Sequence, residues 1–428
     1  AELGNYRRIS FNVGPTLFDW MERYDHATVA AIVSQDHENM VANGVGNAMA
    51  QPYNHTILPL ADKRDKETQI SWGIADFRHR FGRKPQGMWL PETAVDLETL
   101  EVLADHDIRF TILAPWQASI PNPDVTRPYR VRLNSGKSLV VFFYHQDLST
   151  RISFDPGFTI NADDFVLSGL LPRYSRGAGK RENPQLILVA SDGELYGHHQ
   201  PFRDKFLAHL LNGAIRSREI LTTYPALWLR EHPVRKEIQI REDTSWSCHH
   251  GISRWKEDCG CTPGSRWKAP FREAMNQIGR DLDRIYQDAV AWLDVDPWEL
   301  RNLYIHLILG ETSLEDLLRK QMKDSLDKET MNRLDLLLRS QYERQRIFTS
   351  CGWFFDEFDR IEPKNNIAYA AQAVWLARLA TGIDLSSQAA LYLRKVKSDR
   401  SGIRADTIFN RHLRRAQAVF MDHSVIAG

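Results

Sequence analysis

Cysteine is scarce: four residues in a chain of 428, at positions 248, 259, 261 and 351, are too few and too unevenly placed for the disulfide framework of a small secreted domain. A reducing compartment fits better, and the cytoplasm is the expected location. Long apolar runs are missing as well. None approaches the ~18–20 residues needed to cross a bilayer, so a soluble protein with no membrane partner is expected. Net charge is missing too, since 55 basic residues cancel 55 acidic ones with no long run of one sign, and a phosphate backbone is therefore not an expected partner. The chain opens "AELGNYRRISFNVGP" with neither Met nor a basic-then-apolar leader, and a segment upstream is expected to have been removed. Neither a repeat of fixed period nor a linker-length low-complexity tract is present.

What is present is length and alternation. A chain of 428 residues exceeds one ordinary core, and two domains are expected, residues 1–240 and 241–428. From Arg8 to Ala190 short β-rich runs alternate with amphipathic helical stretches, the pattern of a mainly parallel sheet wrapped by helices. RISFNV reads as a strand with Thr16 capping the helix behind it; KETQISWGIADFRHRFG reads as a helix stopped by Gly82; GMWL and IRFTILA read as strands flanking a helix capped by Asp96. YRVRLNSGKSLVVFFYHQ reads as a hairpin turning at Asn134, Ser135 and Gly136, with Tyr144 and His145 at its end. QLILVA, almost wholly apolar, reads as a strand buried on both faces. From about residue 268 the period is helical throughout, which predicts a helical second domain.

Two carboxylates follow predicted strands: Glu92 in "GMWLPET" and Asp192 in "SDGELYG". Loops at the carboxyl ends of parallel strands converge on one pocket in α/β barrels. Two carboxyls meeting there are pushed apart in pKa, one ionised and one protonated, as glycoside hydrolysis requires. Trp89 offers an apolar face beside a sugar, Gly193 permits a tight turn, and Glu194 adds a carboxylate able to bond hydroxyls. The plain alternative is a pair of solvated strand ends.

"WLPE" and "SDGELYG" resemble, in this order, two conserved sequence regions of glycoside hydrolase family 57. "PYNHTILPL" is similar to the turn after that family's second strand region, and either "SCGWFF" or "SWSCHHG" is placed to supply an aromatic from the helical domain. The similarity is to the branch with an extended helical tail. The resemblance implies a distorted (β/α)7 barrel followed by an α-helical domain, and a retaining enzyme, hydrolase or glycosyl-transferring, acting on polysaccharide or oligosaccharide of the α-glucan type. Glu92 matches the nucleophile and Asp192 the acid/base, with oxygens expected ~5–5.5 Å apart. Trp89, Glu194, His55, His199, Trp353 and His250 are the expected sugar contacts, and neither cofactor nor catalytic metal is expected. The His-Gln-Pro-type motif that ends the family's first strand does not occur ahead of Arg8, so the first barrel strand is expected to be missing.

Other readings remain. Asp192 with His55, His198 and His199 suggests the Asp-His-His site of a metal-dependent polysaccharide deacetylase, although His209 is badly spaced from His199 for a helical pair. A barrel that binds carbohydrate without catalysis is a third possibility. "SWSCHHGISRWKEDCGC" gathers Cys248, His249, His250, Cys259 and Cys261 without the two-residue spacers of ordinary zinc modules, leaving structural zinc, buried thiols, or a cleft-lining loop through Trp246 and His250. For Trp353 the alternatives are helix-end core and a platform at the active site.

Overall fold

A computed structural model describes residues 3–175, 184–321 and 326–426. The chain forms two compact units, Ala1–Pro52 with Asp76–Trp246, and Tyr53–Ala75 with Ser247–Gly428.

The first unit opens with helices α1 (Pro15–Tyr24) and α2 (His26–Asn43). Thr16 does not cap α1. Gly14 occupies that position and Pro15 begins the helix, because proline's fixed φ suits the first turn and its missing N–H costs nothing there. Helix α3 (Lys63–Phe81), of which residues 63–75 belong to the second unit, ends as expected at Gly82, whose φ of 64° lets its N–H bond to the Arg78 carbonyl. Helix α4 (Leu97–Asp105) is capped by Asp96, which accepts from the Thr99 N–H at 2.7 Å.

Strands β1 (Phe110–Leu113), β2 (Tyr129–Arg132) and β3 (Ser138–Phe143) form a sheet in the order β1-β3-β2. β1 and β3 are parallel, while β2 and β3 make the expected hairpin, with Gly136 at φ 82° in its turn. Single parallel bridges extend the series in chain order: Phe11 with Ala48, Ala50 with Met88, and Gly87 with Phe110. RISFNV and GMWL are thus extended segments held by single bridges.

QLILVA differs most from expectation. It forms no ladder and is half-buried, held by the bonds Leu186 N–H to Thr126 O, His145 N–H to Leu188 O and Ala190 N–H to Ser149 Oγ. Its side chains still alternate. Leu186, Leu188 and Ala190 pack with Val45, Phe110 and Phe142, whereas Ile187 and Val189 pack with Leu148, Phe165 and Phe206. The apolar run therefore reports two faces correctly and backbone pairing incorrectly.

The second unit is helical, as its period predicts, and its long helices include Lys268–Val290, Lys328–Arg346, Ile361–Thr381 and Ala405–Ile426. Ile361–Thr381 buries Ile367, Ala370, Ala371, Ala373, Val374, Leu376 and Ala377, and its alanines allow neighbours close. A buried ionic cluster lies beside it. Burial alone would raise the Asp65 carboxyl, but Arg344 and Arg301, the latter 3.1 Å away, hold it below the usual carboxylate range. Among the described residues no helix is long and apolar enough to cross a membrane.

Gly87 lies where two extended segments touch, and a Cβ there would stand 2.3 Å from the buried Phe110 ring. Gly87→Ala should therefore destabilise the protein by about 1–3 kcal/mol through overpacking, measured as a lowered denaturation midpoint at unchanged slope.

Candidate active site

Glu92 sits in a strained turn. Its φ of 58° and ψ of 20°, followed by φ 50° at Thr93, put two consecutive non-glycine residues in the left-handed region. Such a turn persists only where surrounding bonds outweigh the strain, and here they are numerous. Buried Gln117 accepts from the Thr93 hydroxyl at 2.8 Å and from the Ala114 N–H, and its amide donates to the Thr93 carbonyl at 2.8 Å. The segment ahead of Trp246 runs alongside, with Val95 N–H bonded to Thr244 O, Thr244 N–H to Val95 O and Trp246 N–H to Glu92 O. The Trp246 indole N–H then donates to Glu92 Oε2 at 2.8 Å. One residue thereby binds both the backbone and the carboxylate of Glu92.

Aromatic rings enclose this point. The Trp89 and Trp246 rings meet edge to face at 5.1 Å, Tyr144 lies 6.1 Å from Trp246, and Trp116 lies 6.1 Å from Tyr144. Burial pushes the Tyr144 phenol well above its ordinary range, so it stays neutral. His145 caps the helix α5 (Gln146–Phe154), accepting from the Leu148 N–H.

Asp192 follows the extended segment 185–190 and begins a short turn, Gly193–Leu195. Its side chain reaches solvent on one side and is crowded by protein on the other. That desolvation, then the negative charges of Glu92 and Glu194, raise its pKa, with His199 acting weakly in the opposite sense. Glu92, Glu194 and His199 thus each act electrostatically on Asp192. His198 and His199 hang together from the Glu194 carbonyl through their backbone N–H groups, their rings 4.9 Å apart.

The other expected sugar contacts lie in the second unit. His55, at φ 53°, places Nδ1 2.7 Å from the Ser350 hydroxyl. Trp353 has no exposed ring face, packing against Phe271 and under the Arg272 guanidinium, which is the helix-end core position. His250 is exposed beside the cysteines. Among the described residues the potential metal ligands that gather are Cys248, His250, Cys259 and Cys261, a group that includes none of Asp192, His198 and His199. His209 pairs instead with Asp163 at 3.0 Å.

A family model described as glycosyl hydrolase family 57 matches residues 8–241, more than half of the chain. The chain belongs to glycosyl hydrolase family 57. It is accordingly an enzyme of the glycoside hydrolase type. A second model, described as a domain of unknown function (DUF3536), matches residues 264–425, the helical unit. No curated protein matches the sequence. Among solved structures, an exo-type maltose-forming amylase from Pyrococcus sp. ST04 superposes with a TM-score of 0.76 at 16% identity, over 96% of this chain and 78% of that one. A family 57 branching enzyme from Thermococcus kodakaraensis gives 0.56 at 16% identity, over 94% and 74%. A 4-alpha-glucanotransferase from Thermococcus litoralis gives 0.56 at 16% identity, over 88% of this chain and 54% of that one, so this chain spans about half its length. At such identities these likenesses show the family fold.

Sequence reasoning named Glu92 and Asp192 and offered Trp246 as part of a cleft-lining loop, but missed its bond to Glu92 and missed Gln117 as a brace. Nothing in the pattern around Gln117 marks it, since its importance arises from what it touches.

Because Glu92 contributes to the raised pKa of Asp192, Glu92→Gln should lower the pH at which Asp192 titrates, with burial keeping it above the ordinary aspartate value. Carboxyl 13C NMR, assigned against Asp192→Asn, reads this directly, and an unmoved titration would show that the two charges do not meet.

Proposed function

We propose that the protein is a retaining enzyme acting on α-glucans, with Glu92 as nucleophile and Asp192 as general acid/base. The observation that carries this reading is the different setting of two carboxyls far apart in sequence: desolvation, and then the charges of Glu92 and Glu194, raise the pKa of Asp192, while the Glu92 carboxylate accepts an indole hydrogen bond. In the first step a Glu92 oxygen attacks the anomeric carbon, the glycosidic C–O bond breaks, and Asp192 passes its proton to the departing oxygen. In the second, the Asp192 carboxylate takes a proton from water or from an acceptor hydroxyl, whose oxygen bonds to the anomeric carbon as the Glu92 ester breaks. Water gives hydrolysis and a sugar gives transfer. Trp246 fixes the nucleophile's direction, so little reorganisation accompanies attack. Trp89 walls the site, and Glu194 and His199 are placed for sugar hydroxyls.

The α-glucan assignment is supported by the activities named for the similar structures: maltose-forming amylase, branching enzyme and 4-alpha-glucanotransferase. The run of parallel contacts in chain order supports reading the first unit as the distorted (β/α)7 barrel.

Assayed on amylose, glycogen and a synthetic α-glucoside, Glu92→Ala and Asp192→Ala should each lower turnover on the order of 1,000-fold or more. Equal product from parent and variants would end the proposal, and glucan retention without turnover by the parent would favour a binding module. Trp246→Phe keeps an aromatic, though smaller, ring and removes the donor; losing a hydrogen bond to a charged group, about 1.5–3 kcal/mol, should cut kcat roughly 10–100-fold, with a lowered thermal midpoint reporting the lost ring contacts separately.

A further inference from the structure

Residues 247–267 carry little regular structure, only the turns Ser253–Trp255 and Ser265–Trp267 at their middle and end, yet Cys248, Trp255 and Trp267 are buried. An irregular stretch of this length needs a fastening that ladders and helices do not supply. Its thiols and one imidazole converge. Cys248 Sγ lies 3.8 Å from the Sγ atoms of both Cys259 and Cys261, Cys261 Sγ lies 3.4 Å from His250 Nδ1, and all four atoms fall within 4.8 Å of one another.

These separations suit one kind of bond and not another. A disulfide needs sulfurs about 2.05 Å apart, and the cysteines are free. Donors at the corners of a tetrahedron, with metal–sulfur near 2.3 Å and metal–nitrogen near 2.0–2.1 Å, stand about 3.8 Å apart for two sulfurs and about 3.5 Å for sulfur and nitrogen. Three of the six edges, 3.8, 3.8 and 3.4 Å, match those of such a tetrahedron, and the other three are no longer than 4.8 Å.

We propose that Cys248, His250 through Nδ1, Cys259 and Cys261 bind one structural zinc ion. Three thiolates and an imidazole in a tetrahedron select zinc over the hard cations, and an iron–sulfur cluster would ask for a fourth cysteine. All four positions are filled by protein, which leaves no open site for catalysis. The chain reaches this geometry through Cys-x-His and Cys-x-Cys pairs with one-residue spacers, turned by Gly251 and Gly260, each at φ 74°. Backbone N–H groups of His250 and Arg254 point at the Cys248 sulfur, and that of Cys261 at the Cys259 sulfur, the outer bonds expected around metal-bound thiolates.

An independent observation points to the same ligand. Lys268 is completely buried and its ammonium has no hydrogen-bond partner, an arrangement that is costly by itself. The charges acting on it are the positive Arg254 and, of opposite sign, Cys259, Asp258 and Cys248, so two cations gather at this cysteine cluster. Three thiolates with one zinc dication leave a net negative charge, which Lys268 offsets without needing a hydrogen bond.

The test uses the full chain purified with zinc present and no chelator. Elemental analysis should give one zinc per chain, falling to near zero in Cys259→Ser/Cys261→Ser, with the metal-loaded parent melting well above its chelated form. Cobalt exchange into the parent, which needs no variant to fold, should give intense tetrahedral d–d bands and thiolate-to-cobalt charge transfer, and His250→Cys should retain the metal with a shifted spectrum. A parent purified with zinc yet holding none, a disulfide among these cysteines, or an octahedral cobalt spectrum would each overturn the assignment.

Discussion

The hydrogen bond from the Trp246 indole to the Glu92 carboxylate is the constraint on which the site depends. Two successive residues in the left-handed region resist being held there, and a carboxylate on such a turn would otherwise point wherever solvation favoured. Trp246 answers both problems, donating its backbone N–H to the Glu92 carbonyl and its indole N–H to the Glu92 carboxylate. Gln117 supports the same turn from beneath, spending its amide on Thr93 and Ala114 in a place water does not reach. Strain and its restraint are found together at the one acidic residue that the proposed chemistry asks to be a nucleophile.

The two carboxyls are prepared differently. Glu92 is fixed by directed bonds, whereas Asp192 is governed by its surroundings: partial burial and two negative neighbours favour its protonated form. A donor aimed at one oxygen and a field acting on the other are distinct means to a division of labour. The ionic cluster around Asp65 shows the opposite arrangement within the helical unit, where two guanidinium groups hold a buried carboxyl ionised and the outcome is structural.

Much of this was legible in the sequence because it is local. Asp96 and Gly82 announced helix ends, the Asn-Ser-Gly turn announced the hairpin, and the helical period announced the second unit. Family motifs located Glu92 and Asp192. What escaped notice depends on contacts between distant segments: Gln117 as a brace and Trp246 as a donor, and the same kind of contact decides between the two alternatives open for Trp353. Thr16 misled because a good capping residue stood one place after Pro15, which opens a helix on its own account. QLILVA misled because apolarity on both faces is a statement about side chains and says nothing of whether the backbone finds a neighbour.

That last segment has a consequence for registration. In most half-buried strands a slip by one residue would put polar groups into the core, and the penalty keeps the alignment true. Along 186–190 both sides are aliphatic, so Leu186, Leu188 and Ala190 could trade places with Ile187 and Val189 at small hydrophobic cost. Alignment rests instead on polar bonds to Thr126, His145 and Ser149 and on those that tie Gln185 to Ser175. Aliphatic exchanges within the run should accordingly pass with little effect, while loss of the Ser149 hydroxyl would remove the anchor nearest in the chain to Asp192 and leave the alignment to the bonds farther back.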